Sequence, residues 1–434
     1  MGILAIGLIA GASGCKKKEG CTDINSDNYD PSAEKDDGSC IYSNNGTIEI
    51  GGQTYHIITG TESGVKTLTS DKRWYLSGGY FIEGTLNVEA GVTVYAANDG
   101  TVPFIAVQRG GKINANGTAS LPIVMTTIKT ITGGATSGDW GGVVLNGYGE
   151  LNICGSLPCE AQGEGGSGIY GGTDNNDDSG TMSYVRVEYA GKLLGTDNEM
   201  NGFSFNGVGS STVLHHLQAF MGNDDGFEFF GGATSLKYAV STGNSDDSFD
   251  WTHGWKGFGQ YWVVQQSTFK GDRGLEADNW ETDHSVSPFS EPTLSNLTLI
   301  GAEDGDSSNT GMRLRHGTKG HIYNALVTGF PKHGVRVSNA QTTNNMNDGS
   351  LEVFNTTSYG NTLYGSGANW KDCDPFKNEA TNSDTDPGVL NGYVGIDPNN
   401  SIDPTSLDGW FDPGSFKGAV ESGNDWTQGW TRML

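Results

Sequence analysis

The chain has 434 residues, of which 35% are hydrophobic and 68 are glycine. Its 25 basic and 51 acidic residues give a formal net charge of −26. So large a negative charge repels phosphate backbones and anionic lipid surfaces, which argues against a nucleic-acid-binding protein. Cations, neutral glycans and other proteins are the partners that this charge allows.

An apolar segment opens the chain. Residues 3–13 read ILAIGLIAGAS, and Gly14 and Cys15 follow. The segment is too short to cross a bilayer as a helix, but it has the length of a signal-peptide core. Its ending resembles a bacterial lipobox, which implies a signal peptide of residues 1–14 and a lipid on Cys15. We therefore predict a lipoprotein of the bacterial outer membrane, displayed on the cell surface or the periplasmic face.

Cysteines of an exported protein fold in a compartment where disulfides form. Cys21 and Cys40 bracket the segment CTDINSDNYDPSAEKDDGSC. This segment resembles a short Cys-paired module of secreted bacterial proteins, and the resemblance implies a Cys21–Cys40 disulfide. We expect a small module over residues 15–42, tethered by Cys15.

A second cysteine pair stands further along the chain. Cys154 and Cys159 enclose the loop CGSLPC, and we predict a disulfide between them. Cys373 is left over, and we interpret it as a free thiol.

A small pattern occurs seven times between residues 142 and 337: Gly or Ser, an apolar residue, any residue, and a second residue that is usually apolar. Three copies follow acidic pairs or their remnant, namely DDGFEF at 224–229, DDSFDW at 246–251 and DRGLEA at 272–277. The intervals between these copies, about one coil of a solenoid, predict that equivalent residues stack on one another.

A second run precedes each copy and closes on a glycine. Examples are LKYAVSTG at 236–243, LSNLTLIG at 294–301 and IYNALVTG at 322–329. Apolar residues alternate within each run, as a strand requires, while Gly and Asn favour the bends. The two repeats together predict a β-coil with two short strands per turn.

The opening coils, TLNVEAGVTVYA at 85–96 and FIAVQRGGKINANGTASLPIVMTT at 104–127, resemble those of right-handed parallel β-helix proteins of the pectin-lyase-like class. The tail at 409–431 resembles the ending of uncharacterised bacterial β-helix lipoproteins. The resemblance implies an all-β fold, a right-handed single-stranded parallel β-helix over residues 45–365. Lyases, hydrolases, adhesins and phage spikes all use such a fold, so function must be argued from the site.

Residues 366–434 are predicted to form an irregular C-terminal cap. The stretch 372–413 is dense in Asp, Asn, Pro and Gly, which favour neither strand nor helix. The aromatic side chains of the cap are expected to cover the last open coil, because an exposed terminal edge invites self-pairing. They are Trp410, Phe411, Trp426 and Trp430.

The residue between the two apolar positions of each pattern copy is expected to point outward. In chain order these residues are Val144, Ser204, Glu228, Asp250, Glu276, Arg313 and Arg336. Neighbouring coils lie about 4.8 Å apart, so three carboxylates should form a column that two arginines continue. Like charges at this distance raise carboxyl pKa values unless a cation intervenes. We predict that the column binds a ligand.

A second acidic row lies in the bends just before the column. It consists of Asp224, Asp225, Asp246, Asp247 and Asp272. Calcium prefers several carboxylate and carbonyl oxygens, so the row predicts a calcium site. The alternative is structural, because Asp tolerates left-handed geometry and caps turns.

Three elements resemble those of polygalacturonase-like glycoside hydrolases: Asn223-any-Asp225-Gly226, the pair Asp246 and Asp247, and Arg313-any-Arg315. The resemblance implies that Asp225, Asp246 and Asp247 act as general acid and water-activating bases, with the arginines on a substrate carboxylate. Where those hydrolases keep a histidine, this chain has Arg273 beside Asp272. Arginine does not exchange its proton at neutral pH, so the site is predicted to bind rather than to cut.

Tryptophans cluster beside the acidic coils. Trp251 is expected to point inward, whereas Trp255 and Trp280 are expected to offer ring faces on which sugars stack.

We therefore predict an envelope lipoprotein that binds a polysaccharide or an envelope protein along an acidic, calcium-loaded β-helix face. The alternatives are a polygalacturonase-like inverting glycoside hydrolase and a structural surface or receptor-accessory protein.

Overall fold

The computed structural model describes residues 17–22, 29–36, 46–196, 198–268, 270–302, 309–361 and 379–434. It divides into two compact units, with the division between Gly46 and Thr47. In the first unit Cys21 is buried and Lys18 forms an ion pair with Asp30 at 2.8 Å. Across the described ranges, no helix has the length and apolar character needed to span a membrane.

Several predictions fall on residues outside the described ranges. Residues 1–14, Cys15, Cys40 and Cys373 are among them. The signal peptide, the lipid anchor and the Cys21–Cys40 disulfide therefore stay predictions. The Cys154–Cys159 disulfide is confirmed, with the two Cα atoms 5.4 Å apart.

The second unit is a parallel β-helix with three faces. The first face contains β3 (Val65–Leu68), β5 (Thr85–Val88), β8 (Lys112–Asn116), the first halves of β13 (Gly180–Glu188), β17 (Val213–Phe220), β19 (Ser235–Thr242), β21 (Phe258–Gln265), β23 (Thr293–Ile300) and β25 (Gly320–Thr328), and β27 (Leu351–Phe354). The second face contains the first half of β4 (Trp74–Ile82), β6 (Thr93–Ala96), β9 (Ile123–Thr127), the second halves of β13, β17, β19, β21, β23 and β25, and β28 (Thr357–Tyr359).

The third face carries the pattern identified in the sequence. It contains the second halves of β2 (Gln53–Glu62) and β4, followed by β7 (Phe104–Val107), β10 (Val143–Asn146), β16 (Phe203–Asn206), β18 (Phe227–Phe230), β20 (Phe249–Thr252), β22 (Arg273–Ala277), β24 (Thr310–Leu314) and β26 (His333–Val337). Parallel strands within one sheet are joined by right-handed connections. The predicted right-handed parallel β-helix is thus confirmed.

The remaining elements are short. β1 (Thr47–Ile50) pairs antiparallel with β2, and three small hairpins are β11 (Ala161–Gln162) with β12 (Ile169–Tyr170), β14 (Leu193–Gly195) with β15 (Asn198–Glu199), and β29 (Gly395–Asp397) with β30 (Lys417–Val420). The helices are α1 (Lys129–Thr132), α2 (Ala340–Asp348) and the 3₁₀ turns Glu164–Gly166 and Pro404–Ser406.

The longer strands are bent at one residue with positive φ, which separates the first face from the second. These residues are Tyr184, His216, Tyr238, Tyr261, Asn296 and Asn324, and Asn355 is their equivalent between β27 and β28; their φ values lie between 51° and 59°. The sequence predicted two strands per turn. Because the longer strand bends and contributes to two faces, each turn has three faces. The ring of His216 stacks on Tyr184 at 4.2 Å and on Tyr238 at 4.4 Å, which supports the bend with ring contacts between coils.

The core is one continuous stack of apolar side chains. Phe203, Phe227 and Phe249 are fully buried, and their rings stack 5.0 Å and 4.9 Å apart from coil to coil. Phe227 pairs with Phe249, and Phe249 pairs with Leu275, as the repeat spacing predicts. The aligned rings fix the register that places the outward residues.

The first residue of the pattern is small because the next coil lies directly against it. A Cβ added to Gly311 would stand 2.4 Å from the carbonyl oxygen of Gly334 and 2.4 Å from Val327 Cγ1. Backbone oxygen cannot move aside without disturbing the neighbouring coil, so glycine is required there.

The described C-terminal residues do not place their aromatic side chains over the last coil, and that expectation is corrected. In the described ranges, Ser383 forms a bridge to Thr357 of this coil, and Asn382 Nδ2 donates to the carbonyl oxygen of Val353. Residues 400–434, the tail strap, run back along the helix, and Trp430 packs on Tyr184 at 5.6 Å. The side-chain amides of Gln218 and Gln260 point outward and bind the backbone of the tail strap. Each amide donates to a carbonyl oxygen of the strap and accepts from an N–H of the strap.

We expect Gly311→Ala to destabilise the β-helix by roughly 1–3 kcal/mol, because the added methyl overpacks the coil contact. Gly409→Ala is the matched control, since a Cβ there meets nothing within 4 Å. Urea unfolding of the two variants measures the difference. Equal midpoints would show that coil packing does not require glycine at this position.

Candidate functional site

The outward residues of the third face stand in one register. Glu228 pairs with Asp250, Asp250 with Glu276, Glu276 with Arg313, and Arg313 with Arg336. Val144 and Ser204 precede Glu228 in the same row, and both are buried. The predicted column of three carboxylates followed by two arginines is therefore present.

The acidic bends lie beside this column, between the second face and the third. Asp225 and Asp247 are 6% and 3% exposed. The backbone N–H of Asp247 donates to Asp225 Oδ1 at 2.9 Å, and that of Arg273 donates to Asp247 Oδ1 at 2.7 Å. Each of these two carboxylates thus caps the next coil with one oxygen, as the structural alternative predicts, and keeps a second oxygen for another partner.

The outward column and the acidic bends line one open cavity of about 330 Å³, which we call the acidic groove. Ten of its side chains are carboxylates, joined by Asn201 and Arg273; the carboxylates are Glu164, Glu199, Asp224, Asp225, Glu228, Asp246, Asp247, Asp250, Glu276 and Glu281. The three predicted catalytic residues, Asp225, Asp246 and Asp247, are among them. So dense a set of acids needs compensation from cations or protons.

Four groove residues were missed by the sequence reasoning. Glu164, Glu199 and Asn201 come from the long segment between β10 and β16, and Glu281 follows β22. Asn201 Nδ2 donates to Glu228 Oε2 at 2.6 Å. None of the four belongs to the repeat, so no periodic signal marks them.

The groove and the acidic bend at Asp272 contain four groups of three carboxylates whose oxygens lie within 4.8 Å of one another. The groups are Asp224 with Asp225 and Asp246, Asp225 with Glu228 and Asp250, Asp246 with Asp247 and Asp272, and Asp247 with Asp250 and Glu276. Each group shares one residue with each of two others, so the four form a closed ring across the coils. Oxygen ligands of this kind fit calcium.

Arginines neutralise only one end of the groove. Arg273 forms ion pairs with Asp272, with Asp247 at 3.6 Å and with Glu276 at 2.9 Å. Arg315 pairs with Glu276, and with Asp278 at 2.8 Å. In the part of the chain that the structure describes, no Lys or Arg forms an ion pair with Asp224, Asp225, Glu228, Asp246 or Asp250.

Burial and mutual repulsion raise the carboxyl pKa values. Burial, with the charges of Asp224 and Glu199, raises the pKa of Glu164 to about 8. Burial and the charge of Asp246 raise the pKa of Asp224 to about 7. The same causes hold the pKa values of Asp225, Glu228, Asp247 and Asp250 well above their usual range. At neutral pH the groove therefore holds either protons or cations.

One predicted ligand-binding residue, Trp255, has another role. Trp255 is fully buried, its ring stacks on Phe229 at 4.3 Å, and its Nε1 donates to a backbone oxygen. The prediction that it offers a sugar platform is wrong, because the sharp turn after β20 directs its ring into the core. Trp251 is buried as predicted, and Trp280 is partly exposed.

The histidines near the site do not supply the missing catalytic group of the hydrolase pattern. His253 is half-buried with its ring 5.4 Å from that of Phe230, and burial lowers its pKa to about 4. His316 Nδ1 lies 2.9 Å from Asp278 Oδ2 and does not line the acidic groove. Arg273 stacks above Asp247, where the resembling hydrolases keep histidine.

Comparison with known proteins agrees with this architecture. The family model described as a pectate-lyase-like β-helix domain matches residues 60–431, most of the chain. No curated protein and no solved structure matches the chain. The chain therefore belongs to the family of the pectate-lyase-like β-helix domain.

Proposed function

We propose that the protein binds a polysaccharide along the third face, in a calcium-dependent manner, as a lipid-anchored protein of the bacterial outer membrane. The observation that carries the proposal is the ring of four three-carboxylate groups, of which the arginines neutralise one end. Membership of a pectate-lyase-like family makes a polysaccharide the preferred ligand over a partner protein.

Calcium would occupy the carboxylate groups and convert a repulsive surface into one that attracts hydroxyl, carbonyl and carboxylate oxygens. A bare groove with ten carboxylates repels an acidic polymer. Adjacent carboxylate groups share one residue, so two cations in groups that share none are the arrangement with least repulsion.

Binding is favoured over hydrolysis by the residues themselves. Asp225 and Asp247 each accept a backbone N–H from the next coil, which fixes their orientation. Arg273 pairs with Asp247 and cannot serve as a general acid at neutral pH. Asp225 and Asp247 are thus engaged in coil capping, and Asp247 is also engaged in an ion pair.

Asp246→Asn with Asp250→Asn removes one member from each of the four carboxylate groups and leaves Asp225 and Asp247 in place. We expect calorimetric calcium uptake to be lost and affinity for the bound polysaccharide to fall at least about tenfold, roughly 1.4 kcal/mol. Asp384→Asn with Glu291→Gln is the matched control, since both acids are exposed and lie outside the groove.

Two results would contradict the proposal. A wild-type protein that takes up no calcium, and whose melting temperature EDTA leaves unchanged, has no cation-loaded groove. Release of reducing ends from polysaccharides by the wild type, abolished in Asp247→Asn, would assign the hydrolase function instead.

The cation-free protein should lose stability as pH rises. The groove carboxyls have folded-state pKa values above the ordinary 3.8 for Asp and 4.5 for Glu. Their contribution to the free energy of unfolding is complete below the ordinary pKa values. It is lost as pH rises through the folded-state pKa values, which are about 7 for Asp224 and about 8 for Glu164. In EDTA we expect the melting temperature to fall by several degrees between pH 5 and pH 8.5. Saturating calcium should flatten this fall, and an equal slope with and without calcium would argue against cation compensation.

The lipid anchor has an independent test. Cys15→Ser removes the acylated thiol, so the variant expressed in a bacterial host should move from the detergent phase to the aqueous phase in phase partition. Cys373→Ser is the control and should stay in the detergent phase. A wild-type protein found in the aqueous phase would exclude the anchor.

A further inference from the structure

The tail strap and the bends between the first and second faces line a cavity of about 370 Å³, which we call the strap cavity. The bends contribute His216, Tyr238 and Tyr261, and the strap contributes Phe416 and Trp426 among others. Of the described residues, none lines both the strap cavity and the acidic groove. The volume of the strap cavity is typical of a site for a small ligand.

Aromatic rings form much of the lining. His216 stacks on Tyr238 at 4.4 Å, and Tyr238 stacks on Tyr261 at 4.9 Å. Trp426 stands steeply across this stack, with its ring centre 5.9 Å from that of His216 and 5.2 Å from that of Tyr238. The ring of Phe416 lies 6.3 Å from that of Tyr261. Rings grouped in this way offer contacts to an apolar stem and an attractive surface to a cation.

The hydroxyl and indole donors of these rings are already used within the protein. The hydroxyl of Tyr238 donates to Asp412 Oδ2 at 3.0 Å, and that of Tyr261 donates to a backbone carbonyl oxygen at 2.9 Å. Trp426 Nε1 donates to another backbone carbonyl oxygen at 2.8 Å. Each phenol oxygen can still accept a hydrogen bond. The rings therefore leave acceptors for a ligand that donates.

The charges of the lining are negative. Two carboxylates, Asp412 and Glu421, line the strap cavity, and no Lys or Arg does. Asp412 forms an ion pair with Lys237 at 2.8 Å, whereas Glu421 is exposed and forms no ion pair within the described ranges. Burial and the neighbouring His215 lower the pKa of His216 to about 3, so this ring is uncharged at neutral pH. One carboxylate thus stands ready for a cationic ligand.

We propose that the strap cavity binds the ammonium group of a primary amine, with its charge near Glu421 and its apolar stem against the rings of Tyr238 and Trp426. An ammonium group has three N–H donors and no acceptor, which matches a lining that offers acceptors. Its positive charge is attracted by the carboxylate and by the aromatic rings. A free alkylamine and the lysine side chain of a peptide carry this same chemistry. The inference does not rest on the proposed function, because the strap cavity and the acidic groove have separate linings.

NMR titration with n-butylammonium, and with 1-pentanol as a neutral molecule of similar size, tests the need for charge. Saturating calcium and roughly 0.15 M salt suppress binding of the amine to the acidic groove and to the exposed surface. We expect n-butylammonium to bind at least about tenfold more tightly than 1-pentanol, because only the amine meets the carboxylate and the acceptors. The aromatic rings should also shift its methylene resonances upfield.

Glu421→Gln removes the carboxylate charge and keeps the length of the side chain. We expect the affinity for n-butylammonium to fall at least about threefold, since an exposed carboxylate contributes modestly to an ion pair. Glu291→Gln is the matched control, because Glu291 is exposed and lies outside the strap cavity. Both side chains are exposed, so neither substitution should change the melting temperature.

Nα-acetyl-lysine methylamide separates the two sources of the ligand. Affinity equal to or above that of n-butylammonium supports a lysine side chain, whereas binding of the free amine alone supports a small amine. Equal affinity for 1-pentanol, wild-type affinity in Glu421→Gln, or unshifted methylene resonances would overturn the proposal. If the wild type takes up no calcium but these affinities differ as expected, the calcium proposal fails and the strap cavity remains an ammonium site.

Discussion

Coil-to-coil stacking is the constraint on which the rest of this molecule depends. A parallel β-helix brings equivalent residues of successive coils to about 4.8 Å from one another, whatever their chemistry. For Phe203, Phe227 and Phe249 this spacing is favourable, because their rings stack at 5.0 and 4.9 Å. For Glu228, Asp250 and Glu276 it is unfavourable, because three carboxylates occupy one row. The same register thus produces both the core and the charged face.

The acidic bends reconcile a structural role with a binding role. Asp225 and Asp247 each use one oxygen to accept the backbone N–H of the next coil. A carboxylate has two oxygens and about four lone-pair sites, so this bond leaves capacity for a second partner. The bend fixes the carboxylate, and the fixed carboxylate can then ligate a cation without further loss of side-chain entropy. Capping a turn and holding a cation are therefore compatible at one residue.

The repeat allowed most of the third face to be predicted. The seven outward residues from Val144 to Arg336 stand in the predicted row because their positions depend only on the register. The repeat carries no information about the rest of the groove. Glu164 enters from a 3₁₀ turn in a long insertion, and only the folded chain places it beside Asp224.

The predictions of side-chain orientation and chain position were wrong where the chain leaves the repeat. Trp255 follows a positive-φ residue, His253, and the turn directs the indole into the core beside Phe229. The tail strap follows no repeat at all, and its position depends on long-range hydrogen bonds from Gln218, Gln260 and Asn296. Contacts between residues more than a hundred positions apart leave no local pattern in the sequence.

The strap also closes part of the second face to a ligand. Its apolar residues cover the outer side of the second face, where Ala419, Val420 and Trp430 pack against Val240 and Val263. An outer row of valines needs such a cover, because exposed β-branched residues on a parallel sheet invite association. The row from Glu228 to Arg336 is charged and needs solvent, cations or a ligand instead. The apolar row of the second face thus packs against the chain's own tail, whereas the charged row of the third face stays open to solvent.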